Sequence, residues 1–344
     1  MPMDAIQQIL HIQRKKNQQV MRNVARLWDI GQKAQTPDEL LDALHPWGED
    51  RDLRFYNVLP MFLVIASVLV LFFGGLLHHY FPFFFSLLIS AALGFWAYLI
   101  HESQDPINEV IQYLRERMLS LRYDLHFHQL PDNFTNPSRT LSVMSVMSQL
   151  KALFPMFSKG TEVNRLDYFA STTWLHDGQR YPVIIFEYDY IVEVATTNQR
   201  GERNVIRKIN KRQWGAFIFD APALGLAISN TGNDFFPPYI QEWETSDIQT
   251  NRKLDIYGCD AHETAKHITP SFTLKLYDFF EKFTGDLLFH PREGIVCYLG
   301  EQDLFRLQSK QVEIQEVSHL RGHLRTLGML EYDLFKEHML KLLS

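Results

Sequence analysis

Cysteine is nearly absent from this chain, with only Cys259 and Cys297 among 344 residues. The two lie far apart in sequence, each in an apolar, strand-like context. That pattern reads as two buried reduced thiols. A redox pair would need exposed, low-pKa surroundings, which are missing here. Charge imbalance is also slight. A net charge of −6 argues against bulk nucleic-acid binding. There is no phosphate loop, no Gly-x-Ser-x-Gly and no dinucleotide fingerprint, so those catalytic and cofactor classes are excluded at motif level. The chain opens on a polar helical pattern and its first apolar run begins far inside, which argues against a cleavable leader.

The most informative absence is of charge along two stretches, Val58–Leu77 and Phe81–Ile100, which hold no Lys, Arg, Asp or Glu. Each is near the ~20 residues a helix needs to cross a bilayer. The link His78-His79-Tyr80 carries no Lys or Arg. Arg14, Lys15, Lys16, Arg22, Arg26, Lys33, Arg51 and Arg54 precede the first span, and Arg115, Arg117 and Arg122 follow the second. The positive-inside rule therefore predicts a hairpin with both termini cytoplasmic and Tyr56, Tyr80, Trp96 and Tyr98 near the interfaces. Gly74-Gly75 and Pro82 argue against one continuous helix. The lack of ionisable groups within the spans argues against a transport pathway. Ser86, Ser90 and Gly94 recur every four residues on the second span. Such a small-residue stripe suits packing on the first span or a homo-oligomer seam.

Flanking the spans are amphipathic helices. From Asp4 to about Lys33, Ile6, Ile9, Leu10, Val20, Val24 and Leu27 keep helical spacing on a basic segment. It suits either helix docking or an anionic lipid surface. Thr36-Pro37-Asp38-Glu39 is a helix start that runs to Leu44, with a capping hydroxyl, Pro in the first turn and acids near the positive dipole end. Asp105-Pro106 repeats the signal, leading a helix with Ile107, Val110, Ile111, Leu114, Met118 and Leu121 on its core side. Pro131–Ser138 reads as a linker, followed by a short helix at about Leu141–Leu153.

From about Leu166 the period changes to two, predicting strands. Val183–Val194 alternates Phe186, Tyr188, Tyr190, Val192 and Val194 against Ile185, Glu187, Asp189, Ile191 and Glu193. A turn at Thr197–Gly201 leads into a basic return strand, Arg203–Arg212. A turn centred near Arg200 sets Glu193 opposite Arg207 and Asp189 opposite Lys211. The acid triplet is then a register device rather than an acid/base or metal site, although Arg200 and Arg203 also suit anionic headgroups. Further strands are expected at Trp214–Asp220, Leu224–Ser229, Leu254–Cys259, Asp286–His290 and Ile295–Gly300. His262-Glu263-Thr264-Ala265-Lys266-His267 has one residue too many for the zinc-protease signature: its histidines fall about 140° apart around a helix. His290 and Cys297 alone do not make a metal site. A short helix ending at Thr269-Pro270, a second at Ser271–Phe283 with Phe272, Leu276, Phe279 and Phe280 inward, and a closing helix at Val317–Leu343 complete the pattern. Leu320, Leu324, Leu327, Leu334 and Leu340 form the packing face of that last helix.

The run Lys253-Leu-Asp-Ile-Tyr-Gly-Cys-Asp260, Glu263-Thr-Ala265, Thr269-Pro270 and the aromatic helix to Phe283 resembles the bacterial two-span membrane family known as domain of unknown function 3137. The likeness covers roughly Phe154–Leu304 and the spans. It implies a bacterial inner-membrane setting and a cytoplasmic α+β domain. In that domain a short strand, a small helix, a Thr-Pro, a second helix and a final hairpin follow in order. The family supplies no catalytic residues to carry over.

The expected architecture is α+β. N-terminal amphipathic helices (1–57), a transmembrane hairpin (58–100) and a helical connector (101–153) lead to a cytoplasmic domain (154–316) with a mostly antiparallel sheet and packed helices. The C-terminal helix is 317–344. The expected function is a membrane-anchored interaction or scaffold protein without a recognisable catalytic, cofactor or metal site. Its expected partners are the bilayer and a protein or a second copy of the chain. The alternatives are a membrane-surface enzyme assembled from Asp255, Asp260, His262 and His290, and a homo-oligomeric membrane assembly.

Overall fold

A computed structural model of the chain describes residues 2–48, 51–76, 83–129, 153–158, 164–197, 203–232, 237–309 and 313–344. The readings for the His78–Tyr80 link, the 131–138 linker, residues 141–152 of the helix after it and residues 198–201 of the turn lie outside these. The helices are α1 (Pro2–Lys33), α2 (Pro37–Ala43), α3 (Val58–Leu76), α4 (Phe83–Ile100), α5 (Asp105–Tyr123), α6 (Ile248–Lys253), α7 (Ala261–His267), α8 (Pro270–Lys282), α9 (Val317–Thr326) and α10 (Leu330–Leu343). The strands are β1 (His126–Phe127), β2 (Asn164–His176), β3 (Gln179–Thr197), β4 (Arg203–Phe219), β5 (Leu226–Ser229), β6 (Gln241–Glu242), β7 (Asp255–Gly258), β8 (Gly285–Phe289) and β9 (Ile295–Gly300). The fold is mixed α and β with an antiparallel sheet and two long apolar helices. The chain divides into two compact units, Met1–Arg122 with Ser309–Leu327, and Tyr123–Gln308 with Gly328–Ser344.

The first unit is helical. Thr36 caps α2 by accepting from the Glu39 N–H at 3.2 Å, and Pro37 occupies the first turn, as that sequence dictates. Val20, Val24, Leu27 and Ile30 of α1 are buried, as are Leu40, Val110, Leu114, Met118, Leu320 and Leu324 of the other helices in this unit. Burying each such side chain contributes about 1.5–3 kcal/mol. Of the two settings the α1 spacing allowed, its buried stripe is occupied by helix packing. Trp28 stacks on Tyr113 with ring centres 4.4 Å apart, and Arg117 and Arg321 donate to the carbonyls of Ala34 and Leu41 at 2.7 and 2.9 Å. Helices α3 and α4 pack on each other along small residues. The Ser67 hydroxyl lies 2.8 Å from that of Ser90, and a methyl group at Gly74 would overlap the Ser86 side chain. Ser86 and Ser90 of the small-residue stripe are thus buried within this pair. Elsewhere the two helices expose their apolar side chains.

The second unit is built on a nine-stranded sheet in the order β1-β2-β3-β4-β9-β8-β5-β7-β6, with every neighbouring pair antiparallel. Val183–Phe186 is buried on both sides of the sheet, hence its unbroken apolar run. One face carries Ile184, Phe186, Phe217 and Leu299 under Phe154, Met156 and Phe157. The opposite face, by strand alternation, holds Trp174 and Tyr298, which meet Phe279 and Phe283 around α8 and Phe335 of α10. The expected strands are present, but Arg203–Arg212 and Trp214–Asp220 form one continuous strand, β4. The two-residue β1 and β6 and the short α6 were not expected, being too short to show a period.

Two expectations need correction. The β3–β4 register differs by one residue: Glu193 faces Lys208 and Asp189 faces Arg212, while Val194 faces Arg207 and Tyr190 faces Lys211. Thr197 pairs with Arg203 as a turn at Arg200 requires, but Thr196 pairs with Val205, so Asn204 is an extra residue at a bulge. A bulge moves every later pair by one and exchanges the faces of the partner strand. The C-terminal segment is not one helix. It breaks at Leu327–Met329, where Gly328 and Gln308 exchange backbone hydrogen bonds at 2.8 and 2.9 Å and the Met329 N–H donates to the Tyr123 hydroxyl at 2.9 Å. These bonds replace the i→i−4 ladder. Leu320, Leu324 and Leu327 are buried in the first unit, whereas α10 buries Tyr332, Phe335 and Met339 in the second and leaves Leu334 and Leu340 only half-buried.

Candidate functional site

The four residues considered for a membrane-surface enzyme have local structural duties or face solvent. Asp260 is the N-cap of α7, accepting from the His262 and Glu263 N–H groups at 3.0 Å each. His262 and Asp255 are exposed. His290 Nδ1 accepts from the Arg292 and Glu293 N–H groups at 3.2 and 2.8 Å, closing the β8–β9 turn, and its ring meets Phe154 edge-on. His262 and His267 sit at the two ends of α7, and no cluster of three metal-ligating side chains occurs among the described residues. Cys297 is fully buried, Cys259 half-buried, and both are free. Burial pushes both thiols above their ordinary pKa, away from the thiolate form.

Glu187, Asp189, Glu193, Lys208 and Arg212 form a charged surface on β3 and β4, beside a cavity of about 480 Å³ lined by Arg165, Asp189, Tyr190, Lys211 and Arg212. Arg212 Nε lies 3.0 Å from Asp189 and 3.1 Å from Glu187, and Lys208 Nζ lies 3.8 Å from Glu193. Arg165 is 3.9 Å from Asp189 on the other side. Asp303 is held above the ordinary carboxylate range by burial, against the opposing pull of the Phe305 N–H, Arg306 and Arg212. These pairs have exposed cations and half-buried carboxylates, and ion pairs at a protein surface each contribute about 0–1 kcal/mol. Their chemistry is mutual neutralisation across the ribbon, which suits register and surface recognition better than proton transfer.

A buried polar knot escaped the sequence reading. The Asp286 carboxylate, 2% exposed, accepts from the hydroxyls of Ser229 at 2.7 Å and Thr231 at 3.1 Å. Between these two, the Asn230 side-chain amide donates to the carbonyls of Phe280 and Phe283 at 3.3 and 3.1 Å and its oxygen accepts from the Gly285 N–H at 2.9 Å. The knot joins β5, β8 and the end of α8. Its one sequence signal is an acid at the second position of a strand buried along its length.

The strand-to-helix corner at Gly258 is equally tight. A Cβ there would lie 1.9 Å from Thr264 Oγ1, which donates to the Asp260 carbonyl at 2.7 Å. Gly258→Ala is expected to destabilise the second unit by about 1–3 kcal/mol, read by urea denaturation. Adding Thr264→Ala should recover part of that loss by opening space, and failure of the pair to recover any of it would refute the steric account.

No family model matches the chain, and neither a curated protein nor a solved structure matches it.

Proposed function

We propose that the protein is a membrane-anchored adaptor. In this reading α3 and α4 cross a bilayer as a hairpin, and the sheet unit stands on the cytoplasmic face as an interaction module. The observation that carries it is the exposure of an apolar surface that water does not tolerate. Met61, Phe62, Phe72, Phe84, Phe95 and Leu99 are each more than 60% exposed on two helices long and apolar enough to span a membrane. Soluble proteins rarely expose contiguous apolar patches of this size. The bacterial inner-membrane setting and cytoplasmic termini rest on the arginine and lysine bias and on the family likeness. The order strand, Gly258, Asp260 cap, short helix, Thr269-Pro270, aromatic helix and final hairpin supports that likeness. The interaction role rests on the charged ribbon.

The chain is expected to pellet with membranes and to stay there through high-salt and carbonate washes. Val68→Arg together with Leu88→Arg, each costing roughly 2.5–3.5 kcal/mol at a span centre, should move it out of the membrane fraction. A wild-type chain found in the high-speed supernatant would end this reading. Orientation is tested by a C-terminal fluorescent-protein fusion that should fluoresce and a periplasm-dependent phosphatase fusion that should be silent. Photo-crosslinkers at Lys208 and Arg212 should capture a defined protein. Capture of lipid alone would reject the adaptor role.

A further inference from the structure

We infer that the junction of α1 with the end of α4 is a binding site for an anionic phospholipid headgroup, a phosphodiester bearing a hydroxyl. A cavity of about 760 Å³ lies there, lined by Gln13, Arg14, Gln18, Arg22, Leu99 and Glu102 among others. Gln13 is 4% exposed; its Nε2 donates to the Ile100 carbonyl at 3.5 Å, while its Oε1 is buried without a hydrogen-bond partner. A buried acceptor left unmade is costly, and a headgroup hydroxyl donating to it supplies the missing bond. Arg14 and Arg22 are exposed on one side of α1, about 12 Å apart along its axis; Arg22 Nε donates to the Gln18 carbonyl at 3.5 Å, and among the described residues neither guanidinium has a carboxylate within ion-pair distance. Two guanidiniums offer the forked donors that a phosphodiester accepts. Leu99, 63% exposed at the end of the second apolar helix, extends the same cavity toward the acyl region. The Glu102 carboxylate opposes an anion, so the site suits a singly charged phosphodiester rather than a phosphomonoester. The Glu102 backbone is pinned to the Asn57 side chain at 3.1 and 2.8 Å, which holds the rim in place.

This inference rests on the proposed membrane hairpin. The full chain is reconstituted into nanodiscs of phosphatidylcholine with or without phosphatidylglycerol, and retained lipid is counted by native mass spectrometry after mild detergent release. Phosphatidylglycerol should be retained in preference to phosphatidylcholine. Arg14→Gln should lower that retention about fivefold, and Arg14→Gln with Arg22→Gln about 25-fold, on the usual effect of one cation near an anionic surface. Lys15→Gln, which removes the same charge from the adjacent exposed position outside the cavity, should leave retention within twofold of wild type. Equal losses from Lys15→Gln and Arg14→Gln would reduce the effect to general surface charge and overturn the site. So would unchanged retention in the double arginine variant, or displacement of the lipid by millimolar inorganic phosphate, which would identify a soluble anion as the ligand. A chain that never enters the nanodisc would end the hairpin reading and this one together. A chain that enters but ignores Arg14 and Arg22 ends only this one.

Discussion

Raising the pH above about 10 is expected to unfold the sheet unit cooperatively. Tyr239, Tyr298 and Tyr332 are buried to within 2% of full enclosure. Their hydroxyls are used internally: Tyr239 donates to the Phe289 carbonyl at 3.1 Å, Tyr298 to the Thr284 carbonyl at 3.1 Å, and Tyr332 accepts from the Trp174 indole at 2.9 Å. Burial pushes all three phenols far above their ordinary value; Cys259 and Asp286 add to it at Tyr239 and Tyr298, whereas at Tyr332 the hydrogen bonds with Trp174 and Thr172 pull the other way against burial and Asp333. The sign follows from proton counting. Below the unfolded value near 10, both states hold the protons and these groups give no pH dependence. Above it the unfolded chain releases protons that the native chain keeps, so stability falls as pH rises toward the folded values. Each phenol contributes about 1.4 kcal/mol per pH unit, and the three together about 4 kcal/mol per unit. Against a typical total of 5–15 kcal/mol, unfolding should be complete within about one to four pH units of the onset. Circular dichroism and phenolate absorbance should change together. Tyr332→Phe should lower the slope by about 1.4 kcal/mol per pH unit, with Tyr188, buried and shifted in the same direction, adding to what remains. Ionisation of Tyr239, Tyr298 and Tyr332 in a chain that keeps its secondary structure would contradict the assignment.

Replacing Phe335 with Ala should be the most damaging single change in α10. The Phe335 ring is fully buried, with ring centres at 5.0 Å to Tyr298, 5.5 Å to Phe283, 6.0 Å to Phe279 and 6.2 Å to Trp174. Truncation removes its transfer energy and leaves a cavity that four rigid aromatic rings cannot collapse to fill, at a cost of about 3–5 kcal/mol. Leu330→Ala, at a position 47% exposed on the same helix, should stay within about 0.5 kcal/mol. Urea titration should therefore show a lower midpoint for the first and none for the second, with equal slopes. Comparable shifts for both would mean that α10 is held by its helical propensity and not by the aromatic cluster.

The phase of the last helix shows how far periodicity carries. Leu320, Leu324, Leu327, Leu334 and Leu340 suggest one stripe, yet α9 and α10 bury different faces in different units. Apolar spacing continues across Gly328 because each half is amphipathic alone. The break comes from the Gln308 backbone and the Tyr123 hydroxyl, both distant in sequence. The β3–β4 register failed for a related reason. A turn at Arg200 does bring Thr197 opposite Arg203, and the extra residue at Asn204 then moves every later pair by one. A bulge has no composition of its own. The cavity at Gln13, Arg14 and Arg22 was equally invisible, since only folding brings α1 to the end of α4.

Elements whose cause lies within a few residues were determined by the amino-acid sequence alone. The two apolar helices, the Thr36-Pro37 and Thr269-Pro270 helix starts, the short α7 and the β8–β9 hairpin all belong here. Caps, turns and hydrophobic runs act locally, so they can be read locally. The tertiary structure decided which charges oppose which across the ribbon, that Asp286 is locked to Ser229 and Thr231, and that the C-terminal residues divide between two units. Those outcomes depend on contacts between residues tens to hundreds of positions apart, where packing and buried hydrogen bonding override local preference.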